Sequence, residues 1–316
     1  MEMFHVRLVC PPELAEQTLE LLTGNRYVFN LLVLTERTRH PDGVPIEFDV
    51  LAGAADEMLR GLRRLRVDQR GAIVIEPVDV AFSTLAEEAE SRHLGALAGA
   101  PLWGAVEARI RAEGTYRPSF YLYLVIAGLI GSVGIMTNSQ ILIVAAMVVG
   151  PEYGAITSVA LGIDRQDRGR VREGLLALLW GFLLAVLITL LFALLVRGLG
   201  LQPEGFDLGL RPVSNLINTP NFFSVVVAVL AGVVGIVSLT QSRTSALLGV
   251  FISVTTIPAA ADIGVSCAFA SWPEARGSLY QLLLNIAVLI LVGVAALKFQ
   301  RAFWRKVALR RSLPHR

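Results

Sequence analysis

Two carboxylates lie close behind prolines within long apolar stretches of the chain. Glu152 follows Pro151 directly, and Asp262 follows Pro258 by four residues. Proline has no amide hydrogen, so it leaves a carbonyl one turn back without its usual partner. In hydrocarbon such backbone must be buried in protein or face water, and a carboxylate there usually faces an interior cavity. The pattern predicts two interrupted helices at which a proton or a cation could bind.

The opposing interpretation of these residues is structural. Both carboxylates could be hydrogen-bonded to other helices, or Asp262 could lie beyond the end of a shorter span. Asn138 and Ser139 fit a turn and a helix N-cap, Arg243 could be a loop or interface charge, and Asn285 could bond a neighbouring helix. The complete candidate set for binding or transport is Pro151, Glu152, Pro258, Asp262, Asn138, Ser139, Thr240, Arg243 and Asn285.

Residues that carry out catalysis or hold a metal are not grouped in this sequence. The two cysteines, Cys10 and Cys267, fall in different predicted domains and give neither a disulfide framework nor a zinc spacing. We expect no enzyme activity, no cofactor and no metal, and the net charge of +2 gives no case for nucleic-acid binding. All four histidines lie outside the apolar segments: His5, His40, His93 and His315.

The apolar segments are long enough to cross a bilayer, which takes about 20 mostly apolar residues. Six spans are predicted: Ser119–Met136, Ile141–Ile163, Gly174–Val196, Phe222–Leu239, Ala246–Ala270 and Ser278–Leu297. Basic residues are concentrated in Asp164–Glu173 and after Leu297, and such segments prefer the cytoplasmic side. We therefore expect a multi-pass protein of the cell (inner) membrane, embedded in the lipid bilayer, with both termini cytoplasmic.

An internal repeat runs through these spans. Ala127-Gly-Leu-Ile-Gly-Ser-Val-Gly134 is similar to Ala231-Gly-Val-Val-Gly-Ile-Val-Ser238, about 104 residues later, and a threonine follows each copy (Thr137 and Thr240). The copies lie in the first and fourth predicted spans, so the two halves must cross the bilayer in opposite senses. Three-plus-three inverted repeats of this kind are typical of secondary transporters.

The first 83 residues predict a separate α+β domain. Strands are expected at Met3–Val9, Val28–Thr35, Val44–Ala52 and Ala72–Phe82, with helices after Pro12 and at Ala54–Leu65. This βαββαβ order is that of the ferredoxin-like split βαβ motif, in which Pro77 would lie on an edge strand. The Arg60–Arg66 run could hold a small anionic metabolite or nucleotide, or it could be a solvated helix face.

The chain is thus divided into a soluble domain (1–83), a helical connector (84–118), a membrane domain (119–297) and a basic cytoplasmic tail (298–316). The connector could lie on the membrane surface, on the soluble domain or on a neighbouring subunit. Glycine-rich helix faces suit close contacts, and together with the sheet they favour a homo-oligomer.

Short motifs mark both halves of the membrane domain. The first half has Gly131-Ser-Val-Gly134, Thr137-Asn-Ser139 and Ala145-Ala-Met-Val-Val-Gly-Pro151. The second half has Ala231-Gly-Val-Val-Gly235, Ser238-Leu-Thr240, Ser245-Ala-Leu-Leu-Gly249, Ile252-Ser-Val and Pro258-Ala-Ala-Ala261. These motifs resemble a bacterial and archaeal membrane family catalogued as a domain of unknown function, the "uncharacterised hydrophobic domain" proteins.

The resemblance covers about residues 119–270 and implies family membership without implying an activity. Members of that family usually carry a second proline near Tyr153–Gly154, and a Pro-Pro pair where this chain has Pro258-Ala259. The helix breaks are therefore expected to be milder in this chain.

Two functions of different classes fit these patterns. The first is a transporter or channel for a small solute or ion, regulated through the cytoplasmic ferredoxin-like domain, with Glu152 and Asp262 titrating or coordinating at its centre. The second is a non-transporting sensor, anchored in the membrane, whose soluble domain binds a metabolite or nucleotide. Solute flux in liposomes distinguishes the two, because only the first requires it.

Overall fold

The computed structural model describes residues 2–78, 81–91, 99–207, 209, 211–240, 249–250 and 255–312. The chain forms two compact units. One comprises Met1–Ala108 together with Arg301–Arg316, and the other comprises Arg109–Gln300. The first unit contains a β-sheet with helices, and the second is helical.

The N-terminal unit is built around strands whose apolar residues alternate. The strands are β1 (Met3–Cys10), β2 (Val28–Val33), β3 (Thr38–Arg39), β4 (Asp42–Leu51) and β5 (Ala72–Val78). The helices are α1 (Ala15–Thr23), after a 3₁₀ turn at Pro12–Leu14, then α2 (Ala52–Arg64), α3 (Val67–Arg70), α4 (Thr84–Ala89) and the first part of α5 (Trp103–Glu113).

All neighbouring strands of this sheet run antiparallel. The order is β2-β4-β1-β5, and the short β3 pairs with β4. Strand β4 thus lies between β1 and β2. Strand β5 lies at the edge, where Pro77 can be accommodated despite its missing amide hydrogen. The strand predicted to reach Phe82 is described as far as Val78, residues 79–80 lie outside the described residues, and Ala81 and Phe82 are not part of a strand.

One face of the sheet forms the core of this unit with the helices. Val6 and Leu8 of β1, and Ile46, Phe48 and Val50 of β4, are completely buried. Each strand buries alternate residues because successive side chains point to opposite faces. The helices contribute the opposing apolar surface, from Leu22, Met58, Leu59 and Leu62.

Phe48 offers a direct test of this core. Phe48→Ala is expected to destabilise the N-terminal unit by roughly 3–5 kcal/mol, because the buried ring leaves a cavity. Hydrogen–deuterium exchange of the full chain in detergent would report this as faster exchange in β1 and β4. Phe82→Ala is the matched control, because Phe82 is 94% exposed and should leave exchange unchanged. Equal protection in both variants would contradict the assigned core.

The second unit consists of apolar helices joined by short segments. They are α6 (Pro118–Met136), α7 (Gln140–Val149), α8 (Glu152–Asp164), α9 (Arg168–Gly198), α10 (Glu204–Asp207), α11 (Pro212–Ile217), α12 (Phe222–Thr240), α13 (Thr256–Ala268) and α14 (Trp272–Ser312), which continues beyond the unit. Prolines and a capping side chain determine where several of these helices begin. Pro118 and Pro212 occupy first helical positions, and the Asp167 side chain accepts a backbone hydrogen bond at the start of α9.

Four helices in the described part of the chain are long and apolar enough to cross a membrane: Pro118–Met136, Arg168–Gly198, Phe222–Thr240 and Trp272–Val307. Helices α7 and α8 pass the same test together, with a bend of 48° between them, and α13 is a shorter apolar helix. Four to five such helices indicate a multi-pass membrane protein. Of the predicted span Ala246–Ala270, the structure describes residues 249–250 and 255–270, which include α13. Residues 246–248 and 251–254 lie outside the described residues.

The helices recur at a constant separation along the chain. Helices α12, α13 and α14 begin 104 positions after α6, α8 and α9, respectively. Helices α6 and α12 are both 19 residues long, and α8 and α13 are both 13 residues long. Gln166 and Ala270, each two residues past the end of α8 or α13, both have a φ of 57°. The repeat found in the motifs therefore extends to helix boundaries and helix ends.

Small residues allow helices of the two repeats to approach each other closely. A side chain on Gly264 in α13 would collide with Thr189 and with the backbone nitrogen of Leu190 in α9. A Cβ on Gly293 in α14 would lie 3.0 Å from the Cβ of Ala160 in α8. These two contacts are counterparts, because positions 264 and 293 follow positions 160 and 189 by the same 104 residues. Each half of the unit therefore packs one helix against the other half.

Candidate functional site

The break between α7 and α8 places the Glu152 carboxylate inside the helical unit. Helix α7 ends at Val149, Pro151 is the N-cap of α8, and Glu152 is the first residue of α8. The interruption predicted at Pro151 is thus present, as the 48° bend. Glu152 is only 7% exposed. Its Oε1 accepts a hydrogen bond of 2.6 Å from the Thr256 hydroxyl, whereas its buried Oε2 has no hydrogen-bond partner among the described residues.

Gly150 makes room for this carboxylate. A side chain on Gly150 would collide with Oε2 of Glu152 and would lie 2.7 Å from Cγ1 of Ile257. The backbone of Gly150 has φ −67° and ψ 131°, which any residue can adopt. The glycine is therefore needed here for space and not for backbone conformation.

A second polar group adjoins the first through the start of α13. The hydroxyl of Thr255, the N-cap residue of α13, accepts hydrogen bonds from Gln281 Nε2 (3.2 Å) and Asn285 Nδ2 (3.0 Å). Gln281 Nε2 also lies 3.4 Å from Asn285 Oδ1. Asn285 therefore donates a hydrogen bond to the N-cap residue of a neighbouring helix, α13. Thr255 bonds the Gln281 and Asn285 side chains, and the next residue, Thr256, bonds Glu152. These two threonines therefore connect the two side-chain amides to the Glu152 carboxylate.

Glu152 and Thr256 occupy equivalent positions of the repeat. Each is the first residue of its 13-residue helix, and the two are 104 positions apart in sequence. The hydrogen bond between them therefore joins the first residues of two helices of equal length.

Asp262 lies in a separate polar group with its own partners. It is completely buried, and its two oxygens accept hydrogen bonds from Ser214 (2.7 Å) and Ser278 (2.6 Å). Asn218 Nδ2 donates in turn to the Ser214 hydroxyl at 3.3 Å. Both carboxylate oxygens are satisfied, so this arrangement matches the structural interpretation of Asp262. The residue lies within α13, a short apolar helix.

Pro258 differs from Pro151 in its position relative to the helix. Pro258 is the third residue of α13, within the first turn, where a helix does not require an amide donor. Pro151 stands just before α8, and residues 251–254, which precede α13, lie outside the described residues. Asp262 and Glu152 likewise occupy non-equivalent positions, the seventh and first of their helices.

The remaining candidates lie away from these groups or outside the described residues. Asn138 has a φ of 53° in the turn before α7, and the Ser139 side chain caps α7 through a 3.4 Å contact with the Leu142 amide nitrogen. The Thr240 hydroxyl donates to the carbonyl of Val237 in its own helix. These three residues therefore serve turns and helix ends. Arg243 lies outside the described residues.

Ser278→Ala tests the role assigned to Asp262. The variant leaves a buried carboxylate oxygen without its donor, which is expected to destabilise the protein by about 1–3 kcal/mol. A lower midpoint of thermal unfolding in detergent would report the loss. Ser119→Ala is the control, because Ser119 is exposed at the start of α6. An unchanged midpoint for Ser278→Ala would show that Ser278 does not support Asp262.

A pocket of about 350 Å³ adjoins the break between α7 and α8. Gly150, Pro151 and Tyr153 line one end, and Glu113 and Thr115, which precede α6, also line it. The other lining residues are Ser119, Phe120, Tyr123, Gly154 and Leu239. The pocket therefore connects the start of α6 with the residues that flank Glu152.

In the N-terminal unit, the arginine run has acidic partners. Arg60 pairs with Asp56 at 3.1 Å, and Arg63 lies 3.7 Å from Asp68. Burial raises the pKa of the Asp56 carboxyl, although Arg60 and the backbone amides of Trp103 and Gly104 oppose this shift. Asp56 thus lies at the N-terminus of α5. These ion pairs favour the solvated helix face over an anion site.

Several site residues could not be found from sequence. Ser214 lies in the segment 197–221 that reads as a plain loop but contains α10 and α11. Thr255, Thr256, Ser278 and Gln281 are polar residues without a distinctive spacing. The one usable signal for Thr256 was the repeat itself, since it is the counterpart of Glu152. In the described parts of the chain, no three His, Cys, Asp or Glu side chains gather as a metal site.

Comparison with known proteins identifies the membrane region. The chain matches no curated protein and no solved structure. Residues 147–291 match the family model described as "Domain of unknown function (DUF389)". This stretch contains Pro151, Glu152, Asp262 and their hydrogen-bonding partners. Residues 147–291 therefore match the uncharacterised family that the motifs of the chain indicated.

Proposed function

We propose that this protein is a membrane transporter or channel for a small solute or ion, with Glu152 at the centre of its pathway. In this proposal the membrane domain has six spans arranged as two inverted halves. The soluble domain is ferredoxin-like, as its strand order supports, and it lies on the cytoplasmic side with the C-terminal tail. The protein works in the inner membrane and assembles as a homo-oligomer.

The observation that carries this proposal is the hydrogen bond between Glu152 and Thr256. It joins the first residues of two helices of equal length, which occupy the same position in two copies of a repeat. With six spans, the copies are three spans apart and run in opposite senses. Transporters with inverted repeats bind their substrate where such copies meet, at helices that are interrupted within the membrane.

The packing of the halves also suits a rocking motion. Helix α13 of the second half lies against α9 of the first, and α8 of the first half lies against α14 of the second. The contacts use glycine and other small side chains, which can slide past each other without large side chains to lock them. Movement of one half against the other would expose Glu152 first to one side and then to the other.

Regulation through the soluble domain is proposed through α5. Asp56 of α2 accepts hydrogen bonds from the backbone amides at the start of α5, the helix that precedes α6 in the chain. A ligand that shifts α2 would therefore shift the first turn of α5. The sensor alternative uses the same link without any transport, so binding of a metabolite to the soluble domain does not separate the two functions.

Flux measurements test the proposal. Purified full-length protein in liposomes should carry an ion or a small solute faster than protein-free liposomes do. Radiolabelled or dye-reported ions, amino acids, sugars and carboxylates form the first panel, each with and without a mixture of cytoplasmic metabolites. If no member of a broad panel moves, while a metabolite binds the protein, the sensor function replaces the transport function.

A further inference from the structure

Glu152 has one oxygen that the rest of the described protein leaves unsatisfied. Oε1 accepts from Thr256, but Oε2 is buried without a donor. Glu152 forms no ion pair with any side chain in the described residues. An unsatisfied oxygen on a buried carboxylate is costly, and a proton or a bound cation removes that cost.

The end of α7 adds acceptor oxygens beside Oε2. Oε2 lies against Gly150, just beyond the C-terminal end of α7, where helix carbonyls point. Pro151 has no amide hydrogen, so the carbonyl of Met147 receives no helical hydrogen bond from that position. The neighbouring amide group also has an excess acceptor, because Oε1 of Gln281 is buried without a partner. Oxygen atoms that lack donors are suitable ligands for a hard cation.

The pocket beside the break between α7 and α8 is also lined by oxygen atoms and by a negative charge. Glu113 provides the only charged side chain among its lining residues, and it is 37% exposed. Tyr123, Thr115 and Ser119 add hydroxyl oxygens to the lining. A cation would meet one carboxylate in the pocket and a second one at Glu152, whereas an anion would be repelled at both. Glu113 also pairs with Arg109 at 3.5 Å, which moderates its charge without cancelling it.

Helix ends partly offset the charge of Glu152 itself. The N-termini of α8 and α13 converge on this carboxylate, and each carries roughly half a positive charge. The ionised carboxylate therefore needs no basic side chain. A cation at Oε2 would be held weakly enough to leave again, which conduction and transport both require.

We propose that the transported or coupled species is a small monovalent cation, a proton or an ion such as Na⁺, which reaches Oε2 of Glu152 from the pocket that Glu113 lines. This inference rests on the proposed transport function and specifies its substrate class. It also proposes where the cation enters, because residues that precede α6 line the pocket.

The test uses full-length protein in liposomes with three separate gradients. One gradient is of Na⁺ or K⁺, one is of protons in N-methylglucamine medium with an internal pH dye, and one is of chloride. Flux along the alkali-ion gradient or the proton gradient, in preference to chloride, supports the proposal and identifies the cation. Chloride flux alone, or movement of an uncharged solute alone, would overturn the cation assignment and leave transport standing. The absence of flux in every arm and for every solute would overturn both.

Glu113→Gln tests the route. Loss of its charge should lower cation flux roughly tenfold at low ionic strength, and by less at high ionic strength where charges are screened. Glu204→Gln is the matched control, because Glu204 is an exposed acid in α10 and does not line the pocket. Equal flux in wild type and Glu113→Gln at low ionic strength would show that the cation does not pass this pocket.

Discussion

Liposomes that contain Glu152→Gln protein are expected to show no more flux than empty liposomes. Glutamine has nearly the shape of glutamate, and its oxygen can still accept the hydrogen bond from Thr256. It replaces the unsatisfied Oε2 with an amide nitrogen, which carries no negative charge and cannot take up a proton or bind a cation. The variant thus removes the proposed chemistry while it keeps the packing between the two repeats.

Two measurements separate this effect from misfolding. Glu152→Gln should elute at the same volume as wild type in size-exclusion chromatography, and its thermal unfolding midpoint should be equal or higher, because a buried charge has been removed. Glu204→Gln, at an exposed position, should transport normally. Wild-type flux by Glu152→Gln would show that the Glu152 carboxylate is not needed for transport.

Gly264→Leu is expected to prevent assembly of the membrane unit. Even a Cβ at position 264 would lie 2.9 Å from the backbone nitrogen of Leu190, and it would collide with the Thr189 side chain. The backbone of α9 cannot rotate out of the way as a flexible side chain could. Overpacking of this kind costs about 1–3 kcal/mol for added methylenes, and more where backbone must move. We expect a several-fold lower yield of monodisperse protein.

Gly198→Leu is the control for that experiment. Gly198 ends α9, and no atom lies within 4 Å of the position that its Cβ would occupy. Both substitutions add the same side chain to a helical glycine, so a difference between them reports the contact between α13 and α9. Equal yields would mean that the helices do not approach as closely as described.

Much of the fold follows from local patterns in the sequence. Alternation of apolar residues located the four long strands, and β4 extends over Asp42–Leu51 where Val44–Ala52 was predicted. Long apolar runs located α6 and α12 to within one residue at each end, whereas α9 begins six residues before the predicted Gly174 and ends two residues after Val196. Pro151 marked the break between α7 and α8 because a missing amide hydrogen acts locally.

The hydrogen-bonding partners of Glu152 and Asp262 could not be predicted from such patterns. Asp262 and Ser214 are 48 positions apart, and Glu152 and Thr256 are 104 apart, so no spacing rule connects them. The position of Pro258 within its helix was also not evident from sequence. The effect of a proline depends on where the helix begins, because a proline in the first turn is tolerated and one in the middle is not.

The contact between Glu152 and Thr256 also bears on how such a protein could arise by duplication of a half-length gene. If the proposed inverted halves descend from a dimer of identical chains, that dimer would have placed the same residue twice at this contact. Two glutamates there would repel each other in a medium of low dielectric constant. Fusion into one chain would allow the two positions to diverge, one into an acceptor and the other into a donor. The 2.6 Å bond joins two different residues, which a dimer of identical chains could not place at equivalent positions.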